Sequence, residues 1–228
     1  MPALPLLFAL LLSAAPAPSA RTLNTEGFRL YQAGKYPEAL EKFEAAAKAN
    51  PKLALAHYNV AATLGVLRKQ GKICDYSAHR ETIVERLTRS VELDPRRLAR
   101  AKEDADLDPI RDTLGWQRLL GRSPRNKADV PKLLRQVTWF NLTEGAMSAR
   151  KKLTFPDARS VVVEQTAFDE ATQRVVTQKE TGTYTLQGRT LRVSFPHKPP
   201  VEGTLTAKGA LQLGTLGTYT DSPAECDA

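Results

Sequence analysis

Residues 23–51 decide the fold and read LNTEGFRLYQAGKYPEALEKFEAAAKANP. The pattern predicts two helices joined by a tight turn at residues 33–35, where the sequence is Ala-Gly-Lys. In the second helix Ala39 and Phe43 recur at helical spacing and belong to one apolar face. Pro51 then closes the unit. We therefore expect a helix–turn–helix pair as the structural unit of this part of the chain.

The small and aromatic residues of this pair resemble those of the tetratricopeptide repeat, a 34-residue helix–turn–helix. The matching positions are Gly27, Gly34, Tyr36, Ala39, Phe43, Ala46 and Pro51. Leu23 and Leu30 stand where that family usually has Trp and Tyr. The resemblance implies an array of helical repeats that acts as an adaptor or scaffold and binds a protein or peptide.

Two further helical units follow the first. The second, residues 53–95, is longer than the family repeat because residues 68–78 form an inserted connection. The third, residues 96–120, resembles the stretch that often ends such an array, with helices expected at 96–105 and 110–120. We interpret its carboxylates as capping and solvated groups rather than catalytic ones, and we expect Trp116 to pack inside the array.

The resemblance also implies a concave peptide-binding groove on the first helices of the repeats. The side chains expected to line it are Asn24, Phe28, Tyr31, Tyr58, Asn59 and Ala62. The family's carboxylate clamp is excluded, because Asn24 and Phe28 replace its Lys and one Asn. The prediction is instead a more apolar groove with Phe28, Tyr31 and Tyr58 as half-buried anchors. The alternative is that the repeats serve mainly as a scaffold.

The second half of the chain changes from helical to alternating hydrophobic periodicity, which predicts short antiparallel strands. The fold class is therefore α followed by β, with a barrel or sandwich at the end. Residues 182–195 resemble strand pairs of small lipocalin-like barrels of exported bacterial proteins. Five side chains are expected to fill such a barrel: Val137, Trp139, Phe155, Tyr184 and Phe195. The alternative function is a carrier of a small apolar ligand inside it.

Composition shifts divide the chain into four parts. They are a signal peptide at 1–20, a helical repeat domain at 21–120, a linker at 121–130 and an antiparallel β domain at 131–228. The signal is predicted from the apolar run at 4–12 and the small residues after it, with cleavage near Ala20 and export to the periplasm or the exterior. This run is too short for a membrane span, which needs roughly 20 apolar residues, and no other stretch is long and apolar enough.

The chain has two cysteines, Cys74 and Cys226. An exported protein meets an oxidising compartment, so we expect them to form one disulfide that joins the tail to the helical half. The alternatives are an intermolecular bond through Cys226 and two free thiols.

Composition and motifs also argue against several function classes. The net charge is +8, but no run of basic residues interleaved with aromatic ones is present, so no nucleic-acid partner is expected. The sequence has no phosphate-binding glycine loop, nucleophile elbow or paired metal-ligand motif. We therefore expect neither a cofactor nor a metal. The sequence predicts an exported, non-catalytic, protein-binding adaptor or scaffold of the cell envelope.

Overall fold

The computed structural model of the protein describes residues 17–141, 150–223 and 225–226. The predicted signal peptide, residues 1–20, lies mostly outside these ranges, and export stays a prediction. Within the described ranges, no helix combines the length and the apolar character that a membrane span requires.

The first half of the described chain is helical, as the sequence predicted. Its elements are α1 (Ala20–Gln32), α2 (Tyr36–Ala49), α3 (Ala54–Lys69), α4 (Arg80–Leu93), α5 (Arg97–Glu103), a 3-10 helix called η1 (Ala105–Ile110) and α6 (Leu114–Leu119). Each of the first four helices packs against the next one along the chain, and η1 packs against α3. The result is a stacked array of helix pairs.

The α1–α2 pair is held closely by local sequence features. Ser19 precedes α1, and its side-chain oxygen accepts a hydrogen bond from the N–H of Thr22 at 3.1 Å. Gly34 makes the turn with φ +73°, a conformation that favours glycine. Gly27 faces the ring of Phe43, and a Cβ at Gly27 would lie 2.8 Å from that ring. Because Gly27 has no side chain, α1 and α2 can pack close together at this point.

The last helical unit differs from the prediction most at the start of its second helix. The helix expected at 110–120 begins only at Leu114, after η1. Thr113 ends the preceding turn because its hydroxyl donates to the carbonyl of Ile110 at 2.7 Å. The same side-chain oxygen accepts from the N–H of Trp116 at 3.0 Å and so caps α6. Trp116 packs in the buried core of the array.

The second half is one antiparallel sheet in which each strand pairs with the next. The strands are β1 (Trp139–Asn141), β2 (Arg150–Thr154), β3 (Ser160–Asp169), β4 (Arg174–Gln187), β5 (Thr190–Ser194), β6 (Val201–Leu205), β7 (Leu211–Leu213) and β8 (Gly217–Tyr219). Phe140 and Thr220 exchange two backbone hydrogen bonds, of 2.7 and 2.9 Å, which join the first strand to the end of the last. The sheet is therefore a nearly closed barrel rather than a sandwich.

Side chains of the strands pack together in one buried cluster. It includes all five residues expected to fill the barrel: Val137, Trp139, Phe155, Tyr184 and Phe195. A seventh helix, α7 (Val130–Gln136), adds Val130, Leu133 and Leu134 to the same cluster. Whether the barrel also holds a small apolar ligand stays a prediction.

The two halves touch through the beginning of α6. The side chain of Leu114 belongs to the hydrophobic cluster of the barrel, and its N–H donates to Asp221 Oδ2 at 2.6 Å. The N–H of Thr138 donates to the carbonyl of Asp112 at 3.1 Å. The predicted linker, residues 121–130, contains a 3-10 turn and the first residue of α7. Its role as a domain boundary stays a prediction.

Candidate functional site

A groove of about 290 Å³ lies in the helical half, between α1, α3 and the segment that joins α5 to η1. We call it the repeat groove. Its lining residues are Phe28, Tyr31, Phe43, Tyr58, Asn59, Ala62, Arg100, Glu103, Asp104 and Asp106. Five of the six residues predicted from the sequence are among them. The structure therefore brings the residues of two separate helices together around one concavity.

Phe28 supplies the accessible apolar surface of the groove. Its side chain is 44% exposed, whereas Phe43 and Ala62, which also line the groove, are 1% and 6% exposed. Among the lining residues, Phe28 is the large hydrophobic side chain that is exposed. Phe28 is therefore the best placed of these side chains to contact a bound molecule.

Tyr58 corrects one expectation, because it is buried rather than half-buried. It is only 1% exposed and belongs to the core of the array. Its hydroxyl donates to Asp104 Oδ2 at 2.7 Å, and the guanidinium of Arg100 lies 5.6 Å from its ring centre. Burial, and then the hydrogen bond to Asp104, raise the pKa of Tyr58. Tyr58 forms the floor of the groove rather than a free anchor.

Tyr31 also has its hydroxyl engaged. It donates to Asp106 Oδ2, while Lys69 Nζ lies 3.1 Å from the other oxygen of that carboxylate. Burial raises the pKa of Tyr31 first, and the hydrogen bond to Asp106 raises it further. Tyr31 packs edge to face on Tyr36, with 5.2 Å between ring centres. Its ring is therefore fixed by contacts on two sides.

Asn24 is the predicted groove residue that does not line the groove. It is 7% exposed, and its Oδ1 accepts a hydrogen bond from Asn59 Nδ2 at 3.0 Å. Asn59 lines the groove and is oriented by this bond. Asn24 thus lies one contact away from the groove and positions a residue that faces it.

One side of the groove is acidic, which the sequence did not predict. Glu103, Asp104 and Asp106 line it together with Arg100. Asp104 also caps η1, since its Oδ1 accepts from the N–H of Asp106 at 3.0 Å, so the capping role assigned from the sequence holds as well. The sequence did not predict this acidic side, because the carboxylates lie 45 to 48 residues beyond Tyr58 and no local pattern relates them to it.

The two cysteines lie together at the junction of the halves. Cys74 and Cys226 form a disulfide with their Cα atoms 5.7 Å apart. The neighbouring side chain of Glu225 is 4% exposed, and its Oε1 lies 2.7 Å from Arg68 Nη2. The chain tail is therefore attached to the helical half by a covalent bond and by a buried ion pair.

The described residues offer no metal centre near the groove or elsewhere. Within 17–141, 150–223 and 225–226, no three His, Cys, Asp or Glu side chains are arranged to hold a metal ion. The two aspartates of the groove, Asp104 and Asp106, are instead hydrogen-bonded to tyrosine hydroxyls, and Asp104 also accepts from the backbone of η1. Their geometry suits the recognition of a hydrogen-bond donor.

Comparison with known proteins relates part of the groove to one family. A search of curated proteins finds no match to this chain. Residues 27–65 match the family described as TPR repeat. The match covers the groove residues of α1 and α3, from Phe28 to Ala62, but not the carboxylates at 103–106. The helical half therefore contains a TPR repeat, and its groove is completed by a segment outside that match.

Proposed function

We propose that the protein is a non-catalytic adaptor that binds a segment of another protein in the repeat groove. The observation that carries this proposal is the position of Phe28, a 44% exposed aromatic side chain at a concave surface inside the TPR repeat. Exposed aromatic residues beside a preformed concavity are typical anchors of protein interfaces. TPR repeats suggest protein–protein interaction, and this supports the same conclusion.

The best test replaces Phe28 with the photocrosslinking residue benzoylphenylalanine in the full chain. Phe168 is a matched control, because it is also a partly exposed phenylalanine, 37% accessible, but lies in the barrel half on β3. We expect a defined protein adduct from position 28 that is absent from position 168. The purified partner should then bind Phe28→Ala at least about tenfold more weakly than wild type. Equal binding by the Phe28→Ala and Phe168→Ala variants would contradict the proposal.

We further propose that the adaptor is exported and works in the cell envelope. Support comes from the apolar run at residues 4–12 and from the Cys74–Cys226 disulfide, since such bonds persist in oxidising compartments. Cell fractionation and the N-terminal mass of the mature protein test this. Export predicts a mature chain that begins near Ala20 and blocked thiols on both cysteines. A cytoplasmic, full-length, reduced chain would contradict it.

A further inference from the structure

The repeat groove has a charge opposite to that of the whole protein. The chain has a net charge of +8, yet the residues that line the groove include three carboxylates, those of Glu103, Asp104 and Asp106, and one guanidinium, that of Arg100. Lys69, which is not among the lining residues, pairs with Asp106 at 3.1 Å, so within the described part of the chain Glu103 and Asp104 are the carboxylates of the groove without a lysine partner. A cleft lined by charges of one sign concentrates their electric field inside it, so the local potential can differ in sign from that of the whole protein. The groove therefore favours a cationic ligand although the protein as a whole repels one.

The carboxylates are held in place and still have accepting capacity. Asp104 accepts one hydrogen bond at each oxygen, from the N–H of Asp106 at 3.0 Å and from the Tyr58 hydroxyl at 2.7 Å. Each carboxylate oxygen has two lone-pair directions, so one direction at each oxygen remains for a ligand. Asp106 is 27% exposed and is fixed by Tyr31 and Lys69 in the same way. These acceptors need no rearrangement to bind a donor.

Glu103 differs from the two aspartates. It is exposed, and among the described residues it forms no ion pair or side-chain hydrogen bond. Arg100, the one cationic residue among the described residues that line the groove, does not pair with Glu103. Its guanidinium instead lies over the Tyr58 ring, 5.6 Å from the ring centre. Glu103 can therefore move to meet a ligand at little cost to the fold, which makes it the most suitable position for substitution.

The groove also limits the size and shape of what it binds. Its volume of about 290 Å³ is at the lower end of small-molecule sites, which suits one or two side chains better than a whole compact ligand. Phe28 is the exposed apolar surface beside the carboxylates. A ligand that uses both features must present a cationic group next to an apolar one.

We infer that the repeat groove recognises a peptide segment in which a Lys or Arg side chain lies next to an apolar side chain. The cation contacts Glu103, Asp104 and Asp106, and the apolar group packs on Phe28. This inference rests on the proposed function and names the chemistry of the partner at the same site. This is the reverse of a carboxylate clamp, because here the repeat groove supplies the negative charge and the bound peptide supplies the positive charge.

The experiment selects binders to the immobilised full chain from a random library of twelve-residue peptides. Selected sequences are then made as acetylated, amidated peptides, so that a side chain supplies any positive charge, and are titrated by fluorescence anisotropy. We expect enrichment of Lys or Arg beside an apolar residue. Glu103→Gln should weaken binding about three- to tenfold and Glu103→Lys more than about tenfold. Glu44→Gln and Glu44→Lys are the controls, since Glu44 is exposed on α2 outside the groove.

The outcomes distinguish failure of this inference alone from failure of the proposed function as well. Peptides that lose binding in Phe28→Ala but show no Lys or Arg enrichment, or are unaffected by Glu103→Lys, would overturn the inference and leave the adaptor standing. Failure to select any peptide, or binding unaffected by Phe28→Ala, would overturn both. If spermidine or free arginine binds as tightly as the selected peptides, the groove is a site for small cations, and the inference of a peptide ligand is wrong. A rise in salt from 50 to 500 mM should weaken the cationic peptides because screening acts on these charges.

Discussion

Glu225 caps a helix of the other half of the chain. Its Oε2 accepts a hydrogen bond from the backbone N–H of Arg80, the first residue of α4, at 2.8 Å, and its Oε1 is the partner of Arg68 at 2.7 Å. The residue before α4, His79, makes no side-chain cap of its own. A carboxylate at a helix N-terminus pairs with an otherwise unsatisfied N–H and with the helix dipole. The tail thus supplies a cap that the local sequence lacks.

Glu225→Ala should therefore lower the free energy of unfolding by about 2–3 kcal/mol, because it leaves a mostly buried Arg68 and the Arg80 N–H without their partner. The measurement is urea unfolding of the oxidised full chain, with amide exchange at Arg80 as a local probe. Glu92→Ala is the control: Glu92 pairs with Arg89 at 3.3 Å, but both are largely exposed. That variant should change stability by less than about 0.5 kcal/mol. Equal losses of stability in Glu225→Ala and Glu92→Ala would contradict the role of Glu225 as a helix cap.

The disulfide and the cap should act as one unit. The double variant Cys74→Ser, Cys226→Ser removes the bond between two residues that are 152 positions apart. In the chain-entropy model its loss lowers the free energy of unfolding by at most about 5 kcal/mol. Once the tail is free, Glu225 is no longer held against α4. Glu225→Ala should then cost about 1 kcal/mol or less in the serine background, a non-additivity measured by a double-mutant cycle. Additive losses would show that the cap forms without the bond.

Gly65 should resist a substitution that helices normally favour. Alanine is better than glycine in a helix interior by about 1 kcal/mol. A Cβ at Gly65, however, would collide with the backbone carbonyl of Asp106, which cannot rotate away. Gly65→Ala should lower unfolding stability by about 1–3 kcal/mol and displace the acidic side of the groove. Gly115→Ala is the comparison, because the three atoms nearest to a Cβ there all belong to the side chain of Val84 rather than to backbone, and it should cost less. A neutral Gly65→Ala would contradict the close approach of α3 and η1.

Two tyrosines of the barrel should respond in opposite ways to loss of the hydroxyl. Among the described residues the Tyr219 hydroxyl is buried without a hydrogen-bond partner, whereas that of Tyr184 donates to the carbonyl of Asp157 at 3.0 Å. Tyr219→Phe should be neutral or raise unfolding stability by about 1 kcal/mol, and Tyr184→Phe should lower it by about 1 kcal/mol. Urea unfolding at pH 7 measures both. A comparable loss in Tyr219→Phe would show that its hydroxyl has a partner.

The same residue gives a pH dependence with a defined sign. Burial raises the pKa of Tyr219 from 10.0 to about 12. Below pH 10 the hydroxyl is protonated in both the folded and the unfolded state, so it contributes no pH dependence to stability. Between pH 10 and 12 the unfolded chain loses the proton while the folded chain keeps it, so stability falls as pH rises. Tyr219→Phe should reduce this alkaline loss, and an unchanged pH profile would contradict the assignment.

The sequence predicts local features well and contacts between distant segments poorly. Gly34, Phe43 and Pro51 predicted the first helix pair because turn, packing and end signals all lie within one unit. Alternation predicted the barrel strands for the same reason. The burial of Tyr58 was missed because it depends on Asp104 and Arg100, which come from another unit. The place of Leu114 in the barrel core was missed because it lies in the helical sequence pattern yet packs on the other half.

Leu114 provides the last prediction, on coupling between the halves. It is 4% exposed and lies in the barrel cluster, and a Cβ at Gly209 would lie 2.7 Å from its Cδ1. Leu114→Ala should therefore lower the stability of the barrel by about 2–4 kcal/mol, although residue 114 precedes the predicted linker. Leu107→Ala is the matched control, since Leu107 is fully buried in the helical cluster and should destabilise only the helical half.

The two tryptophans of the chain allow the halves to be followed separately. Trp139 is in the barrel core and Trp116 in the helical core, so Trp116→Phe leaves a barrel reporter and Trp139→Phe leaves a helical one. In thermal unfolding, Leu114→Ala should lower the midpoint seen by Trp139, while Leu107→Ala should lower chiefly the midpoint seen by Trp116. If Leu114→Ala leaves the Trp139 transition unchanged, Leu114 does not contribute to the stability of the barrel, and the packing of α6 on the barrel does not couple the two halves.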